Sequence, residues 1–371
     1  MPMRHHCIGR TSPYGVKRAA MVEGKKAGEG PRLEARGAEE AEESVDLEEA
    51  SEDGSGVHVD PPSLAGAIPW HEEHGDRLCI AFAGGKGGAG RTLLAANLAV
   101  FMSRLGREVV LADLDPAGMN LHTYLGLDPL LPTPGSMLRP AGPPRVDKLA
   151  GLNLRLCRPP RSIDPSDHEM RAEVLTMAQS LEADVLILDL GLSADAFTLD
   201  TFQMAHAGVV VFAPEPAAME RGYGFIRAAL FRRLLHGDDD PAVVARAVLA
   251  ADHVGELSTP SQLVSALSGA HPHAAEAVRA RILSFFPRIV VNMCRTRADA
   301  EVLEGAVSGL RRRWGVSADP LAAIDYDDAA WNSTRQRRSF MIEFPGSNLA
   351  QGIERVARRL LLTSTRRDLR T

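Results

Sequence analysis

From residue 76 onward, short apolar runs alternate with longer stretches whose apolar residues recur at helical spacing. Five runs read as buried strands: LCIAFA (78–83), EVVLAD (108–113), DVLILDL (184–190), AGVVVFA (207–213) and PRIVVN (287–292). VSADPLAAI (316–324) and LNLRLC (152–157) are weaker candidates. These runs are nearly continuous in aliphatic residues, the pattern of strands covered on both faces in a parallel sheet. Between them, Leu94, Leu98, Phe101, Met102 and Leu105 form a sheet-facing stripe over 92–105, and Met219, Tyr223, Ile226, Leu230 and Leu234 form another over 217–235. A third stripe, Leu349, Ile353, Val356 and Leu360, predicts a helix over 348–362 that packs on the sheet. Segment 128–146 is Pro-rich and reads as irregular, with GSML as the start of a short helix. No repeat of solenoid length interrupts the rhythm. The expected class is α/β: one doubly wound, mostly parallel sheet flanked by helices, over residues 76–371.

The same rhythm is missing before residue 76, and charge explains why. Residues 1–33 carry seven Lys or Arg against two Glu, whereas 34–53 carry ten acids against Arg36 alone. The formal net charge of −6 therefore hides two opposed blocks in the head of the chain. That head is poor in large apolar residues and ends in a Gly/Pro/Ser-containing connector, so burial cannot offset the entropy of ordering. Residues 1–75 are expected to be a disordered tail, either solubilising or an interaction tail for a partner. His5, His6 and Cys7 stand together there, but such an exposed group reads as incidental rather than as a metal site.

With 371 residues, 45% hydrophobic and 24% charged, the chain can bury a large core and is neither collagenous nor a disulfide mini-protein. Its four cysteines, Cys7, Cys79, Cys157 and Cys294, show no C-x-x-C spacing, so a reduced, cytoplasmic setting is expected. The start MPMRHHCIGR lacks a signal-peptide core, and no run of about 18 apolar residues predicts a membrane span.

The strongest chemical signal is AFAGGKGGAGRTLLAANLA, where a strand runs into a glycine-rich turn that opens an amphipathic helix. Gly85, Gly90, Arg91 and Thr92 fit G-x-x-x-x-G-K-[ST], except that Arg91 stands at the lysine position. Glycines at 85, 87, 88 and 90, with Ala89 among them, let successive backbone N–H groups converge on phosphate oxygens. The helix N-terminus at Arg91, Thr92 and Leu93 adds its dipole to the same anion, and the Thr92 hydroxyl suits a magnesium ion between terminal phosphates. A dinucleotide fingerprint does not fit, because no G-x-G-x-x-G is correctly placed.

KGGAGRT resembles the deviant Walker A motif K-G-G-x-G-K-[ST] of the MinD/ParA family of P-loop ATPases. LADLDPAGMNLHTYLGL is similar to that family's D-x-D-x-G-x-x-N-L segment, and DVLILDLGLSAD to its Walker B and second switch region. FAPEPAAMERGYGFI and VVNMCRTRADAEVL follow in the family order. The resemblance covers roughly 78–362 and implies ATP and Mg2+ as cofactors. It implies that Lys86 reaches across a nucleotide-sandwich homodimer to the partner's phosphates, and that Asp115 orients the attacking water. Asn120 and Gly191 would belong to the switches, Asp189 would support the metal held by Thr92, and Asn292 would read adenine. An unknown protein regulator and a role in intracellular positioning are implied with it: division site, chromosome or plasmid partition, or motility organelle.

Two departures matter. Arg91 keeps the lysine's charge but brings a wide planar fork, so binding is expected to survive while hydrolysis is slow or absent. This leaves two functions open: an ATP-driven dimerising switch, or a pseudo-ATPase scaffold acting through its tail. An assembly ATPase for a metal cofactor would want a Cys pair, which the chain lacks. The chain also ends TSTRRDLRT, without the basic amphipathic helix of membrane-recruited members, so membrane attachment is not expected. The tail holds no recognisable flagellar partner motif. Arginine clusters at 232–233, 311–313, 335, 337–338 and 358–359 read as solvated helix faces or, in a nucleotide-bound dimer, as a salt-sensitive surface for nonspecific DNA.

Overall fold

The computed structural model describes residues 77–365 except 85, 117–119, 130–141, 161–167, 237–239, 251, 253–256 and 258. The expectations for 1–75, for GSML and for Gly85 lie outside the described residues. Among the described residues eight strands are formed: β1 (Leu78–Ala83), β2 (Val109–Asp113), β3 (Arg145–Lys148), β4 (Leu154–Arg158), β5 (Val185–Asp189), β6 (Ala207–Phe212), β7 (Arg288–Cys294) and β8 (Asp319–Asp325). Helices α1 (Arg91–Arg104), α2 (Leu121–Tyr124), α3 (His168–Ser180), α4 (Ala196–Met204) and α5 (Pro216–Leu235) occur in the first two thirds. Helices α6 (Asp240–Ala250), α7 (Pro260–Ala270) and α8 (Pro272–Ser284) precede β7. They are followed by α9 (Arg297–Trp314), α10 (Asp328–Arg335), α11 (Phe340–Glu343) and α12 (Asn348–Thr365).

The strands form one sheet in the order β3-β4-β2-β5-β1-β6-β7-β8, parallel except for β3. Strand β1 is the topological switch point, because the chain builds outward from it in both directions, and the carboxyl ends of such strands are where ligands settle. Two apolar layers sandwich the sheet. Along β1, Cys79, Ala81 and Ala83 enter one layer while Leu78, Ile80 and Phe82 enter the other. That period of two, with both faces buried, is why these strands read as unbroken apolar runs. Helices α3 to α9 cover the first face, and α1 and α12 the second. The doubly wound class and all seven predicted strands are observed.

Two local expectations need correction. Residues 145–146, the end of the segment expected to be irregular, instead open the antiparallel edge strand β3, whose RVDK sequence has no apolar periodicity. Its link to the sheet is the ladder with β4 plus the Arg158–Asp147 ion pair at 2.6 Å. Leu105 does not face the sheet: α1 ends at Arg104, and Leu105, its C-cap, is 47% exposed. The cause is Gly106, whose φ of +85° closes the helix one residue before the stripe predicts. The stripes of α5 and α12 pack as expected, with Ile226, Leu230, Leu234, Leu349, Ile353, Val356 and Leu360 buried. Among the described residues, no helix is long and apolar enough to cross a membrane.

Candidate functional site

A cavity of about 510 Å³ opens at the carboxyl ends of the central strands. The glycine loop forms one wall: Lys86, Gly87, Gly88, Ala89, Gly90, Arg91, Thr92 and Leu93 all line it. Gly90, the N-cap of α1, has φ +81°, and a Cβ there would stand 2.3 Å from Asn292 Nδ2. Only glycine fits that combination of a left-handed backbone and close approach. No side chain caps the N-terminus of α1 and its first turn holds no acid, so its N–H groups and positive dipole end face the cavity that the same residues line. The cradle and its volume suit a phosphorylated ligand of nucleotide size.

Arg91 does not point like a loop lysine toward free space. It is only 7% exposed, its Nε donates to Asp189 Oδ1 at 2.6 Å and its Nη2 to Asp115 Oδ2 at 2.6 Å. Burial alone would lower the guanidinium's pKa, but Asp189 and Asp115 more than offset it and hold it above its ordinary value. Asp189 ends β5 and is fully buried, and Asp115 follows the end of β2. Parallel register places Asp113 beside Asp189 on these neighbouring strands. Asp113, which sequence reasoning assigned no role, is also buried, and burial followed by the charges of Asp189 and Asp115 pushes its carboxyl well above the usual range. Three carboxylates thus gather around one guanidinium.

Gly191, after Asp189, has φ +83°, and a Cβ there would lie 2.5 Å from Asp115 Oδ1, so Asp115 is seated against bare backbone. Beneath Asp115, the wholly buried Arg171 of α3 donates to Leu114 O at 3.2 Å, Asp195 Oδ2 at 2.8 Å and Thr198 Oγ1 at 2.6 Å. Asp195 caps α4 through Thr198 N at 2.7 Å, so Arg171 ties the segment after β5 to the segment after β2.

Lys86 bonds Glu215, the N-cap of α5, within the same chain. Both side chains are substantially exposed, so the pair is worth about 0–1 kcal/mol and opens readily. Asn292 on β7 lines the cavity, but its Nδ2 donates to Ala89 O at 2.9 Å, tying β7 to the loop. Asn120, the N-cap of α2, is exposed at the cavity edge. At the far wall stand Met293, Tyr326, covered by the Arg295 guanidinium 3.8 Å from its ring centre, and Trp331, which is 65% exposed.

For a metal ion the fit is poor. Thr92 lines the cavity, and Asp189 Oδ2 is buried without a hydrogen-bond partner. Yet the other oxygen of that carboxylate is bonded to a fixed cation, as is Asp115. No group of three or more His, Cys, Asp or Glu that could hold a metal occurs among the described residues. Cys79 and Cys157 are buried free thiols whose pKa burial pushes up to about 12, which leaves them inert as thiolates. Of the basic clusters, Arg232 pairs with Asp200, Arg337 with Asp128, Arg338 with Glu343, Arg358 with Glu354 and Arg359 with Asp319. Arg311, Arg312 and Arg313 are exposed in the last turn of α9.

A family model described as the CobQ/CobB/MinD/ParA nucleotide binding domain matches residues 80–358. Among curated proteins, the chain is 45% identical over 51 residues to an uncharacterised ATP-binding protein of Methanocaldococcus jannaschii, covering 14% of this chain and 19% of that one. It is 52% identical over 48 residues to the chromosome-partitioning ATPase Soj of Thermus thermophilus, covering 13% and 19%. It is 48% identical over 50 residues to the antiactivator FleN of Pseudomonas aeruginosa, covering 14% and 18%. The chain thus spans about a fifth of the length of these relatives. Among solved structures, the septum site-determining protein MinD complexed with Mg-ADP from Pyrococcus horikoshii aligns with TM-score 0.46 and 18% identity, covering 76% of this chain and 96% of that one.

Proposed function

Because this chain belongs to the CobQ/CobB/MinD/ParA nucleotide-binding family, we propose that it is a cytoplasmic, ATP-binding positioning switch that dimerises on nucleotide and hydrolyses it slowly. The observation that carries the reading is the glycine loop, which turns through left-handed Gly90 into the uncapped N-terminus of α1 at the wall of a nucleotide-sized cavity. The loop from Lys86 to Leu93 would hold the phosphates, with Asn292 beside the base. Lys86 would leave Glu215 to reach the phosphates of a second copy, at small cost for so exposed a pair. A protein regulator would act on the dimer. A division site or a partitioned chromosome as cargo comes from what related proteins are named for, while a plasmid or a motility organelle rests on the sequence resemblance alone.

Slow turnover follows from Arg91. A residue that orients water needs a free acceptor, and the Oδ2 of Asp115 is bonded to the guanidinium. The same contact supports the pseudo-ATPase reading as the limiting case in which turnover is zero. Calorimetry with ATP, paired with a phosphate-release assay, tests this: ATP should bind, and Arg91→Lys should raise turnover at least about tenfold, or about 1.4 kcal/mol in barrier height. A wild type that binds no ATP would end the nucleotide reading, and one already as fast as Arg91→Lys would end the assignment of slowness to Arg91. The ion pairs made by most of the basic clusters favour solvated helix faces over a DNA surface.

A further inference from the structure

We infer that Arg91 is a chain-borne cation that stands in for the divalent metal at the phosphate end of the cavity, so that a nucleoside triphosphate is held without a metal ion; this rests on the nucleotide-binding reading above. A metal at such a site does two things. It bridges phosphate oxygens, and it screens nearby carboxylates from the incoming polyanion. The second task is already done here. Asp115 and Asp189 each give one oxygen to Arg91 at 2.6 Å, and the guanidinium cannot deprotonate.

A magnesium ion, by contrast, demands near-octahedral oxygen ligation and dehydrates reluctantly. To use Asp189 it would have to share a wholly buried carboxylate with a fixed positive charge, and the like charges repel. Nor can Arg91 swing out toward phosphates without leaving two carboxylates uncompensated in a dry site. The bridging task falls to groups that carry no metal: the backbone N–H groups of the loop and the uncapped N-terminus of α1, joined in the dimer by the Lys86 ammonium of a second copy.

ATP affinity of the full-length wild type and of Arg91→Lys, measured by calorimetry with excess magnesium and with excess chelator, tests the inference. The wild-type dissociation constant should change by less than about threefold between the two conditions. Lysine is too short to hold both aspartates in this way, so Arg91→Lys should free them and weaken at least about thirtyfold on chelation. A wild type that weakens by that factor on chelation would overturn the inference while leaving ATP binding intact. A wild type that binds no ATP in either condition would overturn both. Should Arg91→Lys fail to fold, the wild-type comparison decides alone.

Discussion

Replacing Arg91 with Met should destabilise the protein by about 3–5 kcal/mol, the usual cost of removing one partner from a buried ionic cluster. The substitution keeps most of the side-chain volume, so a cavity does not explain the loss. What remains is Asp113, Asp115 and Asp189 facing one another at the ends of β2 and β5 with no cation among them. The deficit should also depend on pH. Asp113 keeps its proton in the folded state at pH values where the unfolded chain has released it, because its folded pKa is raised. Its contribution is therefore fully present below the ordinary carboxylate pKa and is lost as pH rises through the raised folded value. Without Arg91 the ionised cluster is worse still, so the gap between variant and wild type should widen from about pH 4 toward neutrality. Urea unfolding across that range reads both effects. Equal stability at neutral pH would show that Arg91 is not the counter-charge of this cluster.

Arg171→Met should cost a similar amount, about 3–5 kcal/mol, for a different reason. Arg171 is wholly buried, its ring-facing guanidinium lies 4.4 Å from the Phe197 ring centre, and its bonds join Leu114, Asp195 and Thr198. Removing it orphans the Leu114 carbonyl and weakens the N-cap of α4. The pH signature is opposite to that of Asp113. Burial raises the Asp195 carboxyl, but bonds from Thr198 N and Ser193, then the charge and bond of Arg171, outweigh it and hold it below its ordinary value. That stability is present above the ordinary carboxylate pKa and disappears as pH falls through the lowered folded value. Arg171→Met should therefore lose more at neutral pH than in acid, and its acid unfolding limb should flatten. A variant with the wild-type midpoint and an unchanged acid limb would contradict this.

How much of this could be read from the sequence depended on whether a residue acts through its neighbours in the chain or through neighbours in space. The glycine loop and its helix were legible because strand, turn and amphipathic stripe are consecutive. The five strands β1, β2, β5, β6 and β7 were legible because burial on both faces leaves a nearly unbroken apolar run, whereas β4, broken by arginines, and the partly exposed edge strand β8 gave weaker signals. Strand β3 was not legible, since its four residues are mostly exposed and owe their form to pairing with β4. At the site, the oddity of Arg91 was plain, but its partners were not. The guanidinium reaches residues 24 and 98 positions away, which only the parallel register of β2 and β5 brings together. Asp113 could have been suspected, as an acid that closes an apolar run. Glu215 carried no signal beyond its place before a helix. Asn292 was expected to read a base, whereas its observed bond joins β7 to the loop.

The central claim is that nucleotide drives assembly through the loop. Light scattering of the wild type with and without ATP, alongside Lys86→Ala, tests it most directly. The wild type should double its mass on adding ATP and return when nucleotide is removed, while Lys86→Ala should bind ATP and stay monomeric. A wild type whose mass is the same with saturating ATP as without it would contradict the account.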